Sequence, residues 1–365
     1  MRGRFLAALT ALAVLLCGCA SLLDREYVSV TPHNTTPTAE GDPSVLRAES
    51  YQELVNALIY FINLGAETGS IRLYLDSEDV ETDLENACLE VVQEDAFGAY
   101  AVDYIKYSVN SIVTYDQAEV QITYRRTKEQ MASIVSATGT TAIRSELETA
   151  LATFAPERVL RISYFDGDED YILELARQAY YASPGTALGM PRAQVSIYPD
   201  SGRLRIVEIA LSYPLELQEL ARRRDALEAE QLRLLRALPA AGDDFLTQAA
   251  RRILDAGGYD PQGGSTAYHA LLEGGGDCEA LALAMSLLCQ SREIPCHLVR
   301  GTLDGSPHFW NAVETGQGWR HLDLSAYDGQ GELFQTDEAL TSAGYGWDTG
   351  AVPQCGPSPS ITEAP

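Results

Sequence analysis

The chain has 365 residues, 52 acidic against 26 basic, and a formal net charge of -26. Apolar residues make up 46%, enough for buried cores in two or three domains, so a wholly disordered chain is excluded. The acid excess argues against nucleic acid as a partner, and seven cysteines are too few for a disulfide scaffold.

The first segment reads as an address. Arg2 and Arg4 precede an apolar run from Phe5 to Leu16 that is too short to span a bilayer as a helix. Leu16-Cys17-Gly18-Cys19 follows. This order resembles a bacterial lipoprotein signal, in which cleavage precedes the cysteine and the thiol is acylated. The resemblance implies a signal peptide over 1–18, lipidation of Cys19, and an extracytoplasmic protein anchored to a bacterial membrane. Residues 19–47, with Thr31-Pro32-His33-Asn34-Thr35-Thr36-Pro37-Thr38, read as a tether.

The middle of the chain repeats itself at a spacing of 89 residues. A helical stretch from Tyr51 to Leu64 leads to a strand at Ile71-Arg72-Leu73-Tyr74. A second helical stretch from Ala142 to Phe154 leads to Leu160-Arg161-Ile162-Ser163. Asp79 and Asp168 stand at equivalent places before the next helices, Val80 to Gln93 and Asp168 to Tyr181. Each copy closes on two strands, and the last pair end on Tyr124 and Tyr213. The fold class is therefore α+β, with an α-β-α-β-β module at 48–138 repeated at 139–214. The module contains no histidine and no catalytic constellation, so it reads as a binding or assembly unit for an envelope protein partner. Residues 215–240, leucines mixed with arginine and glutamate, form a connecting helix.

The chemistry lies in the last domain, 241–349. Three glycines lead to Asp277, a good helix cap, and Cys278 opens an apolar helix running to Leu288. A thiol at a helix start faces unpaired N–H groups, which favour the nucleophilic thiolate, although an Asp277 charge aimed at the sulfur would oppose it. Ile294 to Gly301, Pro307 to Val313 and Trp319 to Leu324 read as antiparallel strands. They carry His308 and then Asp323, a base and a carboxylate to orient it, in the order a cysteine nucleophile requires.

Four blocks resemble the core of the transglutaminase-like superfamily, over roughly residues 245–330. They are Gly276-Asp277-Cys278-Glu279-Ala280, Ile294 to Gly301, His308 to Val313, and Trp319-Arg320-His321-Leu322-Asp323. The resemblance implies a papain-like helix-plus-antiparallel-sheet domain. Cys278 would be the nucleophile, His308 the general base and acid, and Asp323 the orienting carboxylate. Phe309 stands where the family often has alanine, and Glu279-Ala280-Leu281 replaces the usual small or aromatic segment after the cysteine. Both changes alter the wall of the site. Tyr268, Phe309 and Trp310 are candidate oxyanion or wall residues.

The implied reaction is attack of Cys278 on a peptide or protein amide through a thioacyl intermediate. Water as acceptor gives a peptidase or amidase and is favoured; an amine gives a cross-linking enzyme. With only Lys106 and Lys128, the chain is a poor amine donor to itself. No cofactor and no metal site is expected, because no cysteine or histidine cluster has metal-site spacing. The alternative is a catalytically inactive binding or structural lipoprotein of the envelope. Residues 350–365, rich in proline and serine, read as a disordered tail that carries an exposed Cys355.

Overall fold

The computed structural model describes residues 37–40 and 42–356. The signal peptide, Cys19 and most of the tether lie outside the described residues. The described residues divide into two compact units, those up to 92 with 102–124, and 93–101 with those from 125 onward.

The first unit holds β1 (Thr38–Glu40), β2 (Asp42–Ala48), α1 (Tyr51–Asn63), β3 (Thr68–Leu73) and α2 (Val80–Gln93). A short helix, α3 (Ala96–Ala101), belongs to the second unit, and the first closes with β4 (Val102–Ile112) and β5 (Tyr115–Tyr124). The strand order is β1-β2-β3-β5-β4, with β2 parallel to β3 and the other pairs antiparallel. Ser50 starts α1 by accepting the Glu53 N–H, and Leu54, Leu58, Phe61 and Ile62 recur on its buried side.

The second unit opens with α4 (Lys128–Ala132), β6 (Val135–Ala137), α5 (Gly139–Ala152), β7 (Glu157–Ser163), α6 (Glu169–Ala182), β8 (Arg192–Tyr198) and β9 (Leu204–Ser212). Its first sheet has the order β6-β7-β9-β8, the same as β2-β3-β5-β4, again with a parallel leading pair. The duplication reaches single hydrogen bonds. Tyr124 donates to the Ala66 carbonyl at 2.8 Å and Tyr213 to the Ala155 carbonyl at 3.2 Å. Asp79 accepts the Thr82 N–H and Asp168 the Tyr171 N–H. Gly65 and Phe154, at the same repeat position, both have positive φ, and the second copy holds that conformation with a buried phenylalanine against Tyr213.

Each copy is thus β-α-β-α-β-β, one strand longer than the sequence reading. The leading strands carry no alternation with turn signals and are fixed by pairing to β3 and β7, so part of the expected tether, from Thr38 onward, is sheet.

Helix α7 (Leu217–Ala237) buries Leu220, Leu227 and Leu234 in one stripe. Then follow α8 (Gly242–Asp255), β10 (Tyr259–Gly264), α9 (Ala267–Leu272), α10 (Cys278–Gln290), β11 (Cys296–Leu303), β12 (Ser306–Thr315), β13 (Gly318–Leu322), α11 (Asp337–Ser342) and β14 (Tyr345–Gly346). The sheet order is β13-β12-β11-β14. Residues Ala280 to Cys289 of α10 are all buried, as an all-round apolar helix requires. The expected disordered tail is ordered as far as residue 356. Cys355 is fully buried, its N–H bonded to the Asp337 carboxylate at 3.1 Å and its carbonyl to the Asp337 N–H at 2.7 Å. Satisfied backbone and a thiol in an apolar cluster with Val299, Trp310, Ala312 and Leu340 outweigh the chain entropy that the Pro/Ser composition suggests.

Candidate active site

The first turn of α10 is built by its cap. Asp277 Oδ1 accepts the Ala280 N–H at 2.9 Å, and Oδ2 accepts the Ser265 hydroxyl. The carboxylate is committed to these donors, and the Cys278 and Glu279 N–H groups stay free of partners among the described residues. The glycines before it have a steric cause. A Cβ on Gly276 would meet Ala280 Cβ at 2.4 Å, and one on Gly257 would meet the Gly274 carbonyl carbon at 2.0 Å. The helix is pinned to β12 by Asn311, whose amide donates to the Ala282 carbonyl at 3.1 Å and to Ser286 Oγ at 3.0 Å.

His308 lies on β12, and Asp323 is the first residue past β13, one step beyond the Asn311–Leu322 pair. The two meet diagonally across the strands: His308 Nε2 lies 2.6 Å from Asp323 Oδ2. Cys278 is free and half-buried, and it is near enough to His308 to act on its titration. Burial opposes a charge on the imidazole, but Asp323 and Cys278 together raise His308 to about 9. Burial also acts upward on Asp323, and His308 and Ser325 overcome it, so the carboxyl is held below its ordinary range. Asp323 Oδ1 accepts the Ser325 N–H at 2.9 Å and the Ser325 hydroxyl at 2.6 Å. Tyr345 donates to Oδ2 at 2.7 Å. The structure therefore brings Cys278, His308 and Asp323 to one place, with the imidazole against the carboxylate.

A layer of aromatic rings supports the imidazole. Trp310 stacks on His308 at 5.9 Å and 30°, and Tyr345 meets its edge at 5.6 Å. Trp310 Nε1 donates to His321 Nδ1 at 3.0 Å, and His321 Nε2 donates to Asp337 at 2.9 Å. Burial lowers His321 from its ordinary value, Asp337 notwithstanding, and keeps it neutral. His321, Asp337 and Cys355 place ligand atoms within 4.8 Å of one another. These donors do not suit a cation. The Trp310 N–H occupies Nδ1, so the ring proton sits on Nε2, and burial pushes the Cys355 thiol up to about 12.

The wall residues divide. Trp310 lies under the histidine. Phe309 turns toward α6, where its ring packs on Tyr181 at 5.7 Å. Tyr181 also donates to Glu279 Oε1 at 3.2 Å. Burial, and then the Asp277 charge, raise Glu279 to about 7. Tyr268, the other candidate oxyanion or wall residue, packs against α7, where the Arg223 guanidinium lies 4.8 Å over its ring. Tyr259, on β10, is raised by burial and by the charges of Cys278, Asp277 and Asp323. Sequence reasoning missed Tyr259, Tyr345, Ser325, Tyr181 and Asp337. A lone tyrosine carries no spacing signal; Ser325, two residues after Asp323, is the one that local turn chemistry could have found.

Residues 240–324 match the family model described as the transglutaminase-like superfamily. This segment is a transglutaminase-like domain. It contains all three triad positions, while Ser325, Tyr345 and the Asp337–Cys355 anchor lie beyond it. Among solved structures the chain is similar to one described as "Crystal structure of a TGase", at 10% identity and a TM-score of 0.26, covering 65% of this chain and 68% of that one. That likeness is too slight to bear on the fold. No curated protein matches the chain.

Proposed function

We propose that the protein is a membrane-anchored, extracytoplasmic thiol enzyme that acts on peptide or protein amides, with water as the favoured acyl acceptor. The observation that carries this reading is an imidazole bonded to the Asp323 carboxylate at 2.6 Å, with Cys278 at the start of α10 near enough to help raise His308. The Cys278 sulfur attacks the amide carbonyl, and the negative charge moves to its oxygen, beside the free N–H groups of the first turn of α10. On collapse the C–N bond breaks, His308 gives its proton to the leaving nitrogen, and a thioester remains on Cys278. Water, deprotonated by His308, attacks that carbonyl and returns the thiol; an amine in its place would give a cross-link. The anchor is the lipid expected on Cys19. Among the described residues no helix is long and apolar enough to cross a membrane. The repeated module would hold an envelope protein.

The test is iodoacetamide labelling of Cys278 from pH 6 to 9, followed by peptide mass spectrometry, in the native protein and in His308→Ala. Labelling at pH 7 should slow by about tenfold or more in the variant, which has no base beside the thiol. Equal rates would overturn the enzyme reading and favour the inactive binding protein.

A further inference from the structure

Strand β11 has an unfilled edge. Thr302 and Leu303 pair with Gly346 and Tyr345 of β14, but from Cys296 to Arg300 no strand among the described residues occupies that side. The direction of its backbone groups follows from two hydrogen bonds. Glu314 N–H bonds the Pro295 carbonyl on the β12 side, and Asp304 N–H bonds the Gly344 carbonyl on the β14 side. Backbone groups alternate along an antiparallel strand, so Cys296, Leu298 and Arg300 turn their N–H and C=O groups to the open edge.

That edge lines a cavity of about 630 Å³, and the facing wall is α6, with Glu174, Gln178 and Tyr181. The chain leaves the edge after β14, and Asp348 and Val352 close the cavity's end. The triad residues do not line the cavity themselves; its wall residue Tyr181 bonds Glu279, next to Cys278, and packs on Phe309, next to His308. In the sheet, Arg300 is level with Phe309 and Gly301 with His308. The rim mixes Arg144 and Asp348 with Arg300 and Glu174, which pair across the groove and would part to admit a strand, and it has no single sign.

We infer that this groove takes the amide substrate as an extended polypeptide, added as a strand to the open edge of β11 and bonded to the main chain of Leu298 and Arg300. The inference rests on the proposed amide chemistry and names its substrate class: unfolded or extended protein segments, not small amides. An unpaired edge is a template for such pairing, and main-chain bonds under a mixed-charge rim give weak dependence on sequence. The second copy of the repeated module thereby acquires a role, since its α6 is the far wall.

The experiment compares kcat/KM, read as ammonia plus new primary amine, for β-casein and for N-acetyl-glutamine amide. It uses the full chain, Arg300→Ala and Arg300→Pro; proline removes the outward N–H and is tolerated on edge strands. We expect β-casein to exceed the small amide by at least tenfold in the native protein. Arg300→Pro should lose about tenfold on β-casein relative to Arg300→Ala, as for one strand hydrogen bond with its neighbour displaced. Comparable values for the two substrates, or identical behaviour of the two variants, overturn the groove and leave the chemistry standing. No turnover of either substrate by a protein whose Cys278 still labels overturns the amide reading and the inference with it. Should Arg300→Pro fail to fold, amide hydrogen exchange in Cys278→Ala decides: saturating β-casein should slow Leu298 and Arg300 about tenfold, and unchanged rates overturn the groove.

Discussion

Replacing Asp323 by asparagine isolates what the carboxylate does for the histidine. His308 is buried, and that burial is the largest single influence on it, acting downward; Asp323 leads the influences acting upward. The net rise from 6.5 to about 9 corresponds to about 3 kcal/mol in favour of the imidazolium. A histidine raised on folding stabilises the protein fully below its unfolded value of 6.5, and this contribution disappears as pH rises through about 9. The lowered Asp323 reports the same ion pair from its other side, so the two are not added. In Asp323→Asn the amide keeps the shape and loses the charge. Only Cys278 then opposes burial, and His308 should titrate at or below 6.5. Ring-carbon NMR gives the value directly. Urea unfolding from pH 5 to 10 gives the linked stability: the native protein should lose about 3 kcal/mol relative to the variant between pH 6 and pH 10. Turnover of amides should fall by about 10³-fold or more, as for other triads whose orienting acid is neutralised. A variant His308 that still titrates near 9, or parallel stability curves, would refute the assignment of Asp323 as the dominant support.

Tyr345→Phe removes one donor to a buried carboxylate and should cost about 1.5–3 kcal/mol in urea unfolding, with His308 titrating higher as Asp323 becomes more basic. Trp310→Phe leaves the stacked ring but strips the donor from His321 Nδ1, so about 1–3 kcal/mol of stability should be lost with the Cys278 labelling rate little changed; a loss of labelling alone would contradict the supporting role of the His321–Asp337 pair. Tyr124→Phe and Tyr213→Phe each delete the same repeat hydrogen bond and should each cost about 1 kcal/mol. Native Cys355 should resist iodoacetamide at pH 8 while Cys278 reacts, and the reverse order by mass spectrometry would overturn the buried position of the C-terminal segment.

Local chemistry made much of this protein legible before any coordinates. The Asp277 cap, the apolar run of α10, the order Cys278, His308, Asp323 and the 89-residue repeat are all properties of neighbouring residues or fixed spacings. They follow from helix and strand periodicity, which acts along the chain. What failed was decided through space. The leading strands β2 and β6 exist because β3 and β7 pair with them. Cys355 is buried because Asp337 bonds its backbone on both sides. Tyr345 was brought to the Asp323 carboxylate from a short strand at the end of the domain. Sequence by itself determined which groups can do the chemistry. Only the tertiary structure decided which rings and donors surround them, and that an open edge of β11 lines a cavity walled by α6. Burial and hydrogen bonding between distant segments fix those choices, and neither leaves a period in the sequence.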